Sequence, residues 1–218
     1  MLEAILFDMD GVLFDTETLY LLVGKPVLEE MGCTNPEAVM MQTIGVSGQG
    51  TREIFRNAYG DLFDAAYFLP RCAELVRQHI AENGVPVKTG AAQLLACLRR
   101  QNFKMAIASS SRTETIQRLV ESAGFSDFFD QMVGCDQVLH AKPAPDLYLT
   151  AAERLGVSAQ RCLAIEDSPL GTRSALAAGC TTIIVPDHIS PPPELRAKAH
   201  AVLESLLEVP PVVAALCR

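Results

Sequence analysis

Four short apolar runs, each stopped by a polar or proline-containing turn, punctuate the chain: LEAILF at 2 to 7, FKMAIA at 103 to 108, CLAI at 162 to 165 and TTIIV at 181 to 185. Brief, largely continuous runs of this kind read as strands buried on both faces of a parallel sheet. Between them, apolar positions recur at helical spacing over about 89 to 101, 113 to 123, 145 to 155 and 169 to 178. Those lengths suit crossover helices. Strand and helix alternate, and alternation predicts an α/β architecture.

Residues 17 to 84 have another texture. TETLYLLVGKPVLEEMG, NPEAVMMQTIG, GTREIFRNAYG and AAYFLPRCAELVRQHI keep helical spacing between Gly and Pro breaks and contain no convincing strand. The pattern predicts a doubly wound parallel sheet with a Rossmann-like core, formed by 1 to 16 and 85 to 218, and an α-helical cap of 17 to 84 inserted after the first strand. Gly84, Pro86 and Gly90 suit the returning connector. SPPPELR, at 190 to 196, reads as a stiff turn opening a last helix.

Composition narrows the partners. The 218 residues are 49% hydrophobic, enough for one sizeable core and a smaller satellite. A net charge of -8 with no basic run argues against nucleic acid or an anionic membrane as partner. No apolar stretch approaches the ~20 residues needed to span a bilayer. Seven cysteines with no C-x-x-C pair and no signal peptide read as reduced thiols in a cytoplasm, most of them buried as small hydrophobes.

The polar residues that end the strands carry the chemistry. FDMDGVLFD places Asp8 and Asp10 where the first strand stops, so both carboxylates can enter the space beyond its carboxyl end, where parallel α/β sheets bind ligands. After KMAIA come Ser109, Ser110 and Ser111, whose hydroxyls and free amides suit phosphate oxygens, while Ser111 or Thr113 also reads as an ordinary helix N-cap. HAKPAPD carries Lys142 on a loop stiffened by prolines. CLAIEDSPLG ends its strand in Glu166 and Asp167, which can equally cap the helix that follows. Carboxylates gathered at one sheet edge repel one another unless a cation joins them. Oxygen ligands without His or Cys select Mg²⁺, which accepts a substrate phosphate as a further ligand.

DMDGVLFDTE, ASSS, HAKPAPD and IEDSPLG resemble, in order and spacing, the four motifs of the haloacid dehalogenase superfamily, more narrowly its phosphatase and β-phosphoglucomutase-like branch with a helical cap. The resemblance implies that Asp8 is the nucleophile at phosphorus and Asp10 the general acid and base. It gives the phosphoryl oxygens to Ser109, Ser110 and Lys142, and Mg²⁺ to Asp8, Asp10 through its backbone carbonyl, Asp167 and Glu166, the last with or without an intervening water. Dehalogenase members lack an acid/base aspartate two residues after the nucleophile, so Asp10 favours phosphoryl transfer.

The expectation is therefore a cytoplasmic, monomeric Mg²⁺-dependent phosphatase acting on a small phosphorylated metabolite, foremost a sugar phosphate, with the cap closing to exclude water. Its specificity would come from the loop around Gly45 to Arg52 and the helix beginning near Glu17. Two alternatives stand beside it, a hexose-phosphate mutase using the same aspartyl phosphate and a catalytically silent binding protein. The mutases of this resemblance carry an arginine after GVS and a histidine ten residues after the acid/base aspartate. Here those positions are Gly48 and Tyr20, with Arg52 one helical turn beyond Gly48.

Overall fold

The computed structural model describes residues 2–44, 46 and 48–217. Contacts divide the chain into two compact units, Met1–Phe14 with Val87–Arg218, and Asp15–Pro86. At the crossing, Phe14 forms an antiparallel bridge with Val87 inside the first unit. Inside the second, the Asp15 amide donates to the Pro86 carbonyl at 2.8 Å.

The first unit is a six-stranded sheet. After β1 (Ala4–Phe7) the chain runs through four helices of the second unit, α1 (Thr16–Glu30), α2 (Pro36–Met40), α3 (Gly48–Tyr59) and α4 (Ala65–Asn83). It then continues through α5 (Ala91–Arg100), β2 (Lys104–Ala108), α6 (Thr113–Ser122), β3 (Gln131–Val133), α7 (Asp146–Leu155) and β4 (Cys162–Glu166). The last elements are α8 (Pro169–Ala177), β5 (Thr181–Ile184), α9 (Pro193–Arg196), β6 (Ala201–Val202) and α10 (Val209–Leu216). The strand order is β3-β2-β1-β4-β5-β6, every pair parallel. This is the expected doubly wound α/β sheet with two strands more than the apolar runs announce.

All four residues of β1 are fully buried, as a central strand covered by helices on both faces must be. Helix α7 lies against β1, β2 and β3. It buries Leu147, Tyr148, Ala151, Ala152 and Leu155, a stripe at helical period. The register pairs Phe7 with both Ile107 and Ile165. The carboxyl ends of β1, β2 and β4 are therefore level, and the residues that follow them emerge side by side.

The second unit has its own core. Phe55 and Phe68 are fully buried. With Phe63, Tyr59 and Tyr20 they form a chain of ring contacts with centroids 4.8 to 6.3 Å apart. Tyr20 packs edge-on against Phe68, and burial raises its phenol above the usual value. Gly45 and Ser47, in the loop singled out for specificity, lie outside the described residues.

The seven cysteines are free thiols. Cys33, Cys72, Cys162 and Cys180 are buried, whereas Cys97 and Cys135 are partly exposed and Cys217 exposed. Among the described residues, no helix is long and apolar enough to cross a membrane.

Candidate active site

Asp8 follows the last residue of β1, and its amide still donates to the Ile165 carbonyl at 3.0 Å. The sheet ladder thus fixes the backbone of Asp8 beside Glu166, the last residue of β4. Both side chains are buried, Glu166 completely and Asp8 to 7% exposure. Lys142 enters from the loop between β3 and α7, and its side chain is buried. Its Nζ donates to Asp8 Oδ1 at 2.5 Å and to Glu166 Oε1 at 2.6 Å. Ser174 on α8 steadies this loop by donating its hydroxyl to the Ala144 carbonyl at 2.6 Å.

Glu166 does two jobs with one carboxylate. Oε1 accepts from Lys142 and from the Tyr148 hydroxyl at 2.7 Å, while Oε2 accepts the amides of Asp167 and Ser168 and the Ser168 hydroxyl, at 3.1 to 3.2 Å. The second group of bonds sits at the start of α8, whose positive end favours a carboxylate. Ser168 caps that helix by accepting from the Gly171 amide at 3.1 Å. A Cβ at Gly171 would overlap the Glu166 carboxylate, so glycine there gives the side chain its space.

Asp10 lies at the turn after β1 and points its Oδ2 at two hydroxyls, Ser109 at 3.3 Å and Ser111 at 3.2 Å. Ser109, fully buried just past β2, also accepts from the Ser111 amide at 3.0 Å. The N-cap reading of Ser111 or Thr113 does not hold. Arg112 occupies the N-cap position of α6 without a side-chain bond, and the Thr113 amide and hydroxyl both bond Asp136. A hydroxyl that reaches a carboxylate across the site is not available to the helix end. Ser110, between the two inward serines, is exposed.

Asp8, Glu166 and Asp167 each bring a carboxylate oxygen within 4.8 Å of the others. Gly11, at φ +81°, makes this approach possible: a Cβ there would overlap the Asp167 carboxylate. Among the described residues, Lys142 brings an ammonium against these three carboxylates. Burial raises the Asp8 carboxyl above its usual range, Glu166 and Asp10 add to the effect, and Lys142 opposes it. Burial works against the Lys142 charge, yet Asp8 and Glu166 outweigh it and raise that group too. A compact, buried, oxygen-only donor set with excess negative charge fits a hard divalent cation. The carboxylate of Asp10 is not in that cluster but beside it, on the serines.

The structure thus brings Asp8, Lys142, Glu166 and Asp167 into one cluster and Asp10 with Ser109 into a second next to it. Of the two sequence readings of Ser111, phosphate ligand or helix cap, the cap fails and its hydroxyl goes to Asp10. Tyr148 is not singled out by the sequence; a tyrosine where a buried helical stripe needs only bulk is the available signal.

The model of the family described as haloacid dehalogenase-like hydrolase matches residues 5–185. The phosphorylated carbohydrates phosphatase of Thermotoga maritima is 31% identical over 183 residues, covering 84% of this chain and 84% of its own. The fructose-1-phosphate phosphatase YqaB of Escherichia coli is 30% identical over 187 residues, covering 83% of this chain and 95% of its own. Among solved structures, CbbY from Rhodobacter sphaeroides in complex with xylulose-(1,5)bisphosphate aligns with a TM-score of 0.75 at 27% identity, over 95% of this chain and 96% of that one. With its fold, its four strand-end motifs and these relatives in agreement, the chain belongs to the haloacid dehalogenase-like hydrolases, in their β-phosphoglucomutase-like branch.

Proposed function

We propose that the protein is a Mg²⁺-dependent phosphatase that hydrolyses a small phosphorylated sugar through an aspartyl phosphate on Asp8. The class, phosphoric monoester hydrolase, follows from the family and its phosphatase relatives. A sugar phosphate as substrate is supported by the names of two relatives and by the bisphosphate bound to CbbY. The observation that carries the mechanism is the placement of Lys142 between Asp8 and Glu166, with Asp10 held on two serines beside them.

A carboxylate oxygen of Asp8 attacks phosphorus while the bond to the sugar oxygen breaks, and Asp10 gives that oxygen a proton. Asp10 then takes a proton from water as the water attacks the aspartyl phosphate, releasing inorganic phosphate and restoring Asp8. Ser109, through its hydroxyl at the end of β2, and Lys142 hold the phosphoryl oxygens; the Ser109 amide stays on the Val133 carbonyl at 3.0 Å. Asp8, Asp167 and the Asp10 backbone carbonyl would hold Mg²⁺, which supplies neutralisation of the charge between nucleophile and phosphate. Free thiols throughout the chain fit a reducing cytoplasm.

Release of inorganic phosphate from a panel of sugar phosphates tests the reading, with Asp8→Asn as control. Turnover of at least one sugar phosphate, lost in the variant, is expected. Equal turnover by wild type and Asp8→Asn would overturn it.

A further inference from the structure

We propose that Tyr148 is a positioning residue of the phosphoryl-transfer site, fixing the Glu166 carboxylate as the support of Lys142 and keeping it from direct coordination of the metal. The inference rests on the phosphatase reading above and adds to it a residue that none of the four motifs requires.

Tyr148 is fully buried on the inner face of α7, among the side chains that pack this helix on the sheet. Packing alone would be met by phenylalanine. The hydroxyl introduces a donor into a dry interior, where an unpaired polar group costs stability. It donates to Glu166 Oε1 at 2.7 Å. The ring meanwhile faces Lys142, whose Nζ lies 5.1 Å from the ring centroid, within range of a cation–π attraction. The same Nζ is 3.4 Å from the Tyr148 oxygen, a marginal contact. One side chain therefore touches both partners of the buried Lys142–Glu166 pair, the carboxylate through its hydroxyl and the ammonium through its ring.

Lone-pair accounting gives the hydroxyl its consequence. A carboxylate offers about four acceptor sites. Glu166 already receives Lys142 and Tyr148 on Oε1, and two amides and a hydroxyl on Oε2. With Tyr148 in place, Oε1 has no lone pair left to turn toward Asp8 and Asp167. The metal is then met directly by those two aspartates, and Glu166 serves as an anchor for the cation that receives the phosphoryl group. Without the hydroxyl, Oε1 regains a site facing the acidic cluster, and Lys142 loses the fixed partner that sets its position.

A double-mutant cycle of Tyr148→Phe with Glu166→Gln tests this, read in kcat and KM for p-nitrophenyl phosphate and in Mg²⁺ affinity by calorimetry. Tyr148→Phe should fold as the wild type does. Its kcat should fall about tenfold, the loss expected for one hydrogen bond to a charged group, with KM changed less than about twofold. Its Mg²⁺ affinity should shift at least about threefold, since a freed carboxylate oxygen joins the cluster. In the Glu166→Gln background the tyrosine substitution should change neither quantity further. Independent, multiplying effects on kcat and affinity would overturn the proposal. If Glu166→Gln does not fold, Tyr148→Phe alone decides, and unchanged kcat with unchanged Mg²⁺ affinity overturns it. If the wild type shows no phosphatase activity, the proposed function falls, while the Mg²⁺ affinities still decide the role of Tyr148.

Discussion

Lys142 Nζ stands 2.5 Å from Asp8 Oδ1, so the two form an ion pair in a site where both side chains are nearly sealed from solvent. Such a pair loses most of the hydration of both charges and is held by mutual attraction and by Glu166. Replacing Lys142 by Ala leaves two buried carboxylates without their cation. The expected outcome is a loss of roughly 3–5 kcal/mol in urea unfolding of the metal-free protein. Turnover should fall by at least about a hundredfold, because a donor to the developing phosphoryl charge is gone.

Asp8→Asn should abolish turnover and yet stabilise the metal-free protein at neutral pH. The folded state raises the Asp8 carboxyl above its usual range, first through burial. Folding therefore favours the protonated form, and the Asp8 contribution to stability is fully present below the unfolded carboxyl value, near 3.9, and declines as pH rises above it. Asparagine carries no such charge. The melting temperature of Asp8→Asn in chelator should exceed that of the wild type by several degrees at pH 7, with the gap closing toward pH 4. A constant gap across that range would show that ionisation of Asp8 is not its source.

Chelation should stop turnover and Mg²⁺ restore it, while Ca²⁺ binds in the same acidic cluster, on Asp8 and Asp167, and inhibits. Calcium accepts longer, more variable coordination and misplaces the phosphate. Initial rates in the presence of each ion check this, and full turnover in chelator contradicts it.

Ser111→Ala removes one of the two hydroxyls on Asp10. If Asp10 protonates the departing oxygen, its orientation matters most when the leaving group is basic. The loss in kcat should be about tenfold for an alkyl or sugar phosphate and much smaller for p-nitrophenyl phosphate. Equal losses on both substrates would place Ser111 outside the proton transfer.

Water rather than a sugar should take the phosphoryl group. Tyr20 stands where the resembling mutases carry histidine, and its raised phenol cannot relay protons near neutrality. Incubation with β-glucose 1-phosphate and a trace of glucose 1,6-bisphosphate should release inorganic phosphate, if that sugar is accepted, without accumulating glucose 6-phosphate. Faster formation of glucose 6-phosphate would favour the mutase.

The sequence made the central sheet readable because β1, β2, β4 and β5 are buried through most of their length and announce themselves as apolar runs. The edge strands did not. Gln131–Val133 and Ala201–Val202 have three and two residues, mostly part-exposed, too few for any period to register. At the carboxyl terminus, SPPPELR opens a helix of only four residues, and the longer α10 hides behind two prolines in its first turn. Asp8, Glu166 and Asp167 were legible because they are charged residues where apolar strands end, and Lys142 because prolines stiffen the loop that carries it. Ser111 stood between two readings, phosphate ligand and cap, and Tyr148 was not legible, because bulk alone explains an aromatic residue on a buried helical stripe; only the partner of each hydroxyl decides.

The level ends of β1, β2 and β4 set the tolerance of this site to changes in chain length. Asp8, Ser109 and the Glu166–Asp167 pair come from segments far apart in sequence, and strand pairing sets them abreast. Loops at the opposite edge of the sheet can gain or lose residues without moving any of them. One residue inserted within β4 would push Glu166 along by about 3.3 Å and turn its side chain to the other face. Lys142 would then lose its anchor although every functional residue type was retained. Length variation among descendants of this chain should therefore collect in the connections and spare these three strands, a constraint on insertions that matching of residue identities alone does not reveal.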